Sequence, residues 1–260
     1  MLKHILDAHG GTLPDDIIVS FQNTGKEMPE TLDFVRDCGE RWGVEIVWLE
    51  WQRDAPKWRQ VTYETASRNG EPFAELMATR SYLPNPVARF CTAELKIRAM
   101  QGYMGDHGFK GWVNVVGLRA DEPHRVARLK TTNENRRGMD GRESPLAHAG
   151  VTKRDVARWW TEQNFDLALP NVNGTTPMGN CDLCYLKGAS TISGIIAMRP
   201  ELARWWIDQE ALARGKIGVA RAAFFRSDRP SYAQMLDAVE RQEAFDFGDA
   251  DALGDCYCTD

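Results

Sequence analysis

The chain has 260 residues, 43% hydrophobic and 27% charged, which is the balance of a globular protein with a sizeable core and not of a disordered or fibrous one. Thirty-two basic residues against 37 acidic ones leave a formal net charge of −5, which argues against general affinity for nucleic-acid backbones. No apolar run approaches bilayer-spanning length and the first residues carry no signal-peptide pattern, so a cytoplasmic location is expected, and the six cysteines point to metal, cluster or redox chemistry before disulfides.

Leu2, Ile5 and Leu6 predict a short helix over residues 1–10, closed by the pair Gly10-Gly11. A strand over residues 17–21 follows, then the turn chemistry of Asn23-Thr24-Gly25, then a helix over residues 29–42 that starts at Pro29 and is broken by Gly43. A second strand is expected over residues 44–49. Helix, strand, helix, strand in this order favours a parallel sheet with right-handed crossovers, whose ligands sit beyond the carboxyl ends of the strands. Residues 52–86, with scattered aromatics and four prolines, read either as a surface connection or as a substrate-covering insertion.

Residues 89–103 predict a helix with Cys91 near its start, and residues 112–117 a third strand. The basic side chains Arg119, Arg125, Arg128 and Lys130, followed by Arg136 and Arg137, read as a solvated face or a local anion site. The polar run over residues 130–141 predicts a loop. Thr152 is a candidate N-cap for a helix whose apolar face is Val156, Trp159 and Trp160. Residues 190–198, 200–215 and 232–245 predict further helices, in which Leu202, Trp205, Trp206 and Leu212 read as core. Cys181-x-x-Cys184, preceded by Gly179-Asn180, lets one tight turn present two sulfurs, while Cys38 reads as a small buried hydrophobe.

Several of these stretches, in order, resemble the phosphoadenosine phosphosulfate (PAPS) reductase-like family of the PP-loop, or adenine nucleotide α-hydrolase-like, superfamily. They are Phe21-Gln22-Asn23-Thr24-Gly25-x-Glu27-x-Pro29-Glu30-Thr31-Leu32, Arg89-x-Cys91-Thr92-x-x-x-Lys96, Gly117-x-Arg119-x-x-Glu122, Pro145-Leu146 leading to Asp155-Val156, and Cys181-x-x-Cys184. The resemblance implies a Rossmann-like α/β fold, a three-layer parallel sheet flanked by helices, over residues 1–188, with a helical extension and a Cys-x-Cys tail over residues 189–260. It also implies an opening strand and a Ser-Gly-Gly-x-Asp-Ser phosphate loop, and Met1-Leu2-Lys3-His4-Ile5-Leu6 reads as the helix that would follow them.

Carried over residue by residue, the resemblance implies an adenine nucleotide, ATP or PAPS, contacted by Asn23, Thr24, Gly25, Arg89, Lys96 and Arg119, with Glu122 and Arg125 ordering the adjoining loop. It further implies a 4Fe-4S cluster. Relatives hold one through cysteine at the position of Cys91 and a downstream Cys-x-x-Cys, so the ligands here are expected to be Cys91, Cys181, Cys184 and a tail thiol, Cys258 ahead of Cys256. Zinc on the same thiols is the alternative. In cluster-free relatives a tail cysteine is the nucleophile, which makes Cys256 or Cys258 the candidate, although the tail lacks the Glu-Cys-Gly-Leu-His pattern. The implied activity is either reduction of an adenylyl sulfate with a thiol electron donor, or ATP-dependent adenylation of an acceptor, including a nucleic acid, that receives sulfur from a donor protein. The competing expectation is a non-catalytic nucleotide-binding or zinc-stabilised module without the phosphate loop.

Overall fold

The computed structural model describes residues 1–131, 139–172, 175–216 and 223–241. Helix α1 (Leu2–Ala8) leads through a loop to β1 (Val19–Asn23), α2 (Pro29–Trp42) and β2 (Ile46–Trp51). Pro29 sits in the first turn of α2, where its missing N–H costs nothing. At the other end Gly43 takes the left-handed conformation, φ 61°, and the N–H groups of Gly43 and Val44 reach back to Glu40 O and Gly39 O at 3.4 and 2.9 Å. This is a Schellman stop, and it delays β2 to Ile46, two residues later than the pattern predicts.

β1 and β2 pair in parallel, Val19 opposite Ile46 through Asn23 opposite Glu50. The stretch that sequence left unassigned contains β3 (Trp58–Val61), antiparallel to β2, and α3 (Glu71–Ala78). A π-helical segment, Thr92–Arg98, runs into α4 (Ala99–Asp106) and takes the place of the helix expected over residues 89–103. Next come β4 (Trp112–Val115), α5 (Pro123–Thr131) and β5 (Met139–Glu143), with β4 and β5 parallel. The loop predicted over residues 130–141 is therefore interrupted by β5 at its end, and residues 132–138 lie outside the described ones.

A short α6 (Pro145–His148) precedes α7 (Lys153–Thr161), where Thr152 is the expected N-cap and, beyond that expectation, forms a full reciprocal capping box with Asp155. Then come α8 (Ala189–Met198), a 3₁₀ turn at Pro200–Leu202, α9 (Ala203–Lys216) and α10 (Tyr232–Glu240). Among the described residues the strands form a mixed three-stranded sheet, β1-β2-β3, and a two-stranded parallel sheet, β4-β5, in an α/β chain. No helix of the described residues is long and apolar enough to cross a membrane.

The largest core cluster joins Met28, Trp51, Phe73 and Leu95 to Leu183, Ile192, Trp206, Phe225 and Met235. The helices α8 to α10 thus bury their apolar faces against the same centre as the β1–α2 loop and the cysteine turn. Trp206, fully buried, stacks on Tyr232 and meets Phe225 edge-on, with ring centroids 5.2 and 4.9 Å away. Trp206 is core and Leu202 and Trp205 pack against it, as their pattern predicts, whereas Leu212, expected there too, is 57% exposed.

Candidate functional site

A cavity of about 940 Å³ opens between β1 and β4, each of which has an edge without a partner strand among the described residues. Where the strands begin, it is lined by Ile18, Met104, Phe109 and Trp112, which pack with one another and with Val47 and Leu49. Toward the strands' carboxyl ends the lining turns polar, with Gln22, Thr92, Lys96, Arg119, Glu122 and Asn180. A crevice beyond the carboxyl ends of parallel strands is where an α/β sheet takes its ligand. The π-helical segment supplies Thr92 and Lys96; such segments are rare and concentrate at functional positions.

Lys96 and Arg119, expected around a nucleotide, both line this cavity. Arg119 is held by Glu122, which accepts its backbone N–H at 3.0 Å, stands 3.3 Å from its Nε and also pairs with Arg125. Glu122 and Arg125 therefore order the loop after β4, as expected. Arg89 is half-buried and sits away from the cavity lining.

Asn23, Thr24 and Gly25 are turned inward. Asn23, fully buried, donates from Nδ2 to Glu50 Oε1 at 2.7 Å and Ser67 O at 2.8 Å, and accepts the Gly25 N–H at 3.1 Å. Thr24 donates its N–H and hydroxyl to the Glu27 carboxylate, each at 2.9 Å. Gly25 has φ +75°, and a Cβ there would stand 3.0 Å from the Gly70 backbone, whose N–H bonds to Gly25 O at 2.8 Å. Their polar atoms answer the protein's own backbone and carboxylates, so they shape the site edge and do not line the cavity.

That loop is also clipped to the cysteine turn. Glu27 and Cys181 form an isolated antiparallel bridge, and Asp182 N–H donates to Lys26 O at 2.7 Å. The Lys26 ammonium pairs with Asp182 Oδ2 at 2.7 Å, both side chains under a tenth exposed, and lies 4.9 Å over the Trp205 ring. Asp182 Oδ1 accepts the Trp206 indole N–H at 2.8 Å and the Leu183 N–H at 2.6 Å. Lys187 Nζ donates to Cys181 O and Asp182 O, both at 2.6 Å, and the Tyr232 hydroxyl donates to Leu183 O at 2.6 Å. Sequence reading missed Lys26, Asp182 and Lys187; an acid between two cysteines and lysines flanking buried stretches were the available signal.

Cys181 and Cys184 are 7% and 3% exposed, and Cys181 Sγ is 3.5 Å from the Thr24 hydroxyl. Cys91 Sγ lies 3.2 Å from the hydroxyl of Tyr185, the residue after Cys184. The turn thus supplies two soft thiol donors, with a third cysteine reaching its next residue, which is the right donor chemistry for a thiolate-held metal. The set is not closed: among the described residues no three His, Cys, Asp or Glu side chains come together as a metal group. Cys256 and Cys258 lie outside the described residues. Cys38, buried in α2, has its thiol pushed up to about 12 by desolvation and by Asp37, which suits an inert core residue.

An α/β chain with a polar crevice at the carboxyl ends of its strands and a thiol-bearing turn clipped to the first βα loop defines a ligand-binding class of fold. The model of the phosphoadenosine phosphosulfate reductase domain matches residues 11–168, and the chain belongs to that family. It is similar to the uncharacterized nin region protein ORF290 of Escherichia phage lambda, 27% identical over 186 residues that cover 68% of this chain and 59% of the phage protein. The chain therefore spans under two thirds of that relative's length. No solved structure matches.

Proposed function

We propose that the protein is a nucleotide-dependent enzyme of sulfur chemistry, binding an adenine nucleotide at the polar end of the cavity between β1 and β4. The observation that carries this is the joining of the two halves of such a site. Lys96 and Arg119 line a crevice whose wall, β1, continues into a loop bonded directly to the Cys181–Cys184 turn. Guanidinium and ammonium groups suit phosphate or sulfate. In the finer fold this reading takes, β1-β2 and β4-β5 are parts of one parallel sheet in a three-layer Rossmann-like arrangement; the parallel pairing within each and the shared cavity between their open edges support it.

A 4Fe-4S cluster on Cys91, Cys181, Cys184 and Cys258 is part of the proposal, and it would supply redox or sulfur-holding capacity beside the nucleotide. Zinc on the same thiols, in a protein that binds nucleotide without turning it over, is the second reading; the two buried sulfurs of one turn are what favours it. For the reductase branch, a tail thiolate, Cys256 or Cys258, attacks the sulfur of an adenylyl sulfate. The S–S bond forms, the S–O bond to the nucleotide breaks, and a dithiol donor then releases sulfite. For the transfer branch, ATP adenylates an acceptor with loss of pyrophosphate, and a sulfur donor protein supplies the sulfur; the candidate acceptors are a small molecule and a nucleic acid. Either operates in the cytoplasm.

The test is product analysis on anaerobically purified protein. Sulfite from an adenylyl sulfate plus thioredoxin supports the first branch, and pyrophosphate from ATP the second. Bound iron with broad absorbance near about 400 nm supports the cluster, and stoichiometric zinc replaces it. Neither product, with neither metal, overturns the proposal.

A further inference from the structure

Sequence reading treats residues 130–141 as polar loop, yet the last three of them, with Arg142 and Glu143, form β5. The register of β5 against β4 slips once: Trp112 faces Met139, and Val113 then faces Gly141, so Asp140 is the extra residue of a bulge. Paired residues share a face and successive ones alternate, so one inserted residue transfers every later side chain to the opposite face. In an unbroken register Arg142 would stand opposite Val115, which is exposed. With the bulge it stands opposite Asn114, which is half-buried and two residues from Trp112 on the apolar side of the cavity. Gly111 makes room for the slip, since a Cβ there would meet Asp140 Oδ2 at 2.1 Å. Bulges of this kind re-aim side chains and recur beside active sites.

The re-aimed residue is a cation. Arg142 is half-buried, lines the cavity, and its guanidinium has no carboxylate partner among the described residues. The other charged side chains lining this end are Lys96, Arg119, Arg125 and Glu122; both arginines pair with Glu122, and Asp121 stands 3.4 Å from Arg119 Nε. Asp16, the remaining acid on the lining, is exposed and lies ahead of β1, at the end where the strand begins. The guanidinium stays open to the cavity, since none of its nitrogens is a buried unpaired atom, and its fixed bidentate fork is matched by phosphate, sulfate or carboxylate.

We propose that Arg142 is a ligand-binding residue of this cavity, taking an anionic group of a nucleotide-class ligand distinct from the one held by Lys96 and Arg119. This rests on the cavity being the nucleotide site, and the experiment separates the two claims. Calorimetric titration with ATP, inorganic pyrophosphate and adenosine is run on the wild-type chain, R142Q and R142K, at low and moderate salt. R142Q is expected to weaken ATP and pyrophosphate about tenfold or more and to leave adenosine unchanged, with a shallower salt dependence. R142K, which keeps the charge and loses the fork, falls between.

ATP binding R142Q as tightly as wild type overturns the role of Arg142 and leaves the nucleotide reading standing. Pyrophosphate binding lost in R142Q, with neither ATP nor adenosine bound by the wild type, keeps the anion role and sinks the nucleotide reading. No binding of any of the three overturns both. Should R142Q fail to give the wild-type urea midpoint, the comparison rests on R142K, where undiminished affinity for both anions refutes the fork.

Discussion

The Lys26–Asp182 pair is the sharpest point at which to perturb this molecule, because it joins the first βα loop to the cysteine turn with both side chains under a tenth exposed. In Asp182→Asn the amide oxygen can still accept the Trp206 indole and Leu183 N–H groups now served by Oδ1. What it cannot do is face the Lys26 ammonium, 2.7 Å from Oδ2, with a negative charge. Leaving one member of a buried pair uncompensated costs about 3–5 kcal/mol, and solvent screening is slight at this depth. For a chain of this size that lowers the thermal midpoint by roughly 10 °C. Urea unfolding followed by tryptophan fluorescence reads the change, since Trp205 and Trp206 flank the pair. Removing both charges while keeping an acceptor, Lys26→Met with Asp182→Asn, should recover much of the loss, because no buried charge is left unpaired and the amide oxygen still accepts from Trp206 and Leu183. A single variant within about 1 kcal/mol of wild type, or a double variant less stable than the single, would refute the assignment of this pair as the clasp.

Two further outcomes follow from individual environments. Burial raises the Glu210 carboxyl to about 7, so between the ordinary carboxylate range and neutrality the folded chain binds a proton that the unfolded chain has released. Stability from this group is therefore full below about pH 4.5, falls as pH rises toward 7, and is lost above it, by about 2–3 kcal/mol as an upper bound. The difference in urea midpoint between wild type and Glu210→Gln, measured at pH 5 and pH 8, should carry that slope; a pH-independent difference contradicts it. Gly25→Ala forces a side chain into φ +75° and against the Gly70 backbone, with an expected loss of about 2 kcal/mol or more in thermal or urea unfolding.

Much of the framework was legible because local chemistry and tertiary contacts agreed. Pro29 and Gly43 bound α2, Thr152 caps α7, and the strand expected over residues 17–21 forms two residues later, at Val19–Asn23. The misreadings have separate physical causes. β3 and α3 sit among prolines and aromatics with no clean period, and they form because β2 offers an edge and the core offers Phe73 and Leu76 a place. After Met139, β5 is Asp-Gly-Arg-Glu and owes its extension to pairing with β4, so propensity does not read it as a strand. Asn23 and Thr24 look like ligand contacts in a sequence, where nothing reveals that Glu50 and Glu27 wait for them inside. Arg142 was hidden for a subtler reason: a bulge is a property of two strands together, and one sequence shows only the inserted residue.

The turn that carries Cys181 and Cys184 has its carbonyls and acidic side chain answered from the first βα loop, from α9, from α10 and from Lys187. Its backbone is consequently held from several sides, and a thiophilic ion of the kind proposed above would meet a seat with little freedom left to surrender. The same rigidity runs the other way. Loosening the last helices would relax the seat itself, so the grip of the turn on an ion and the integrity of the far end of the chain should rise and fall together.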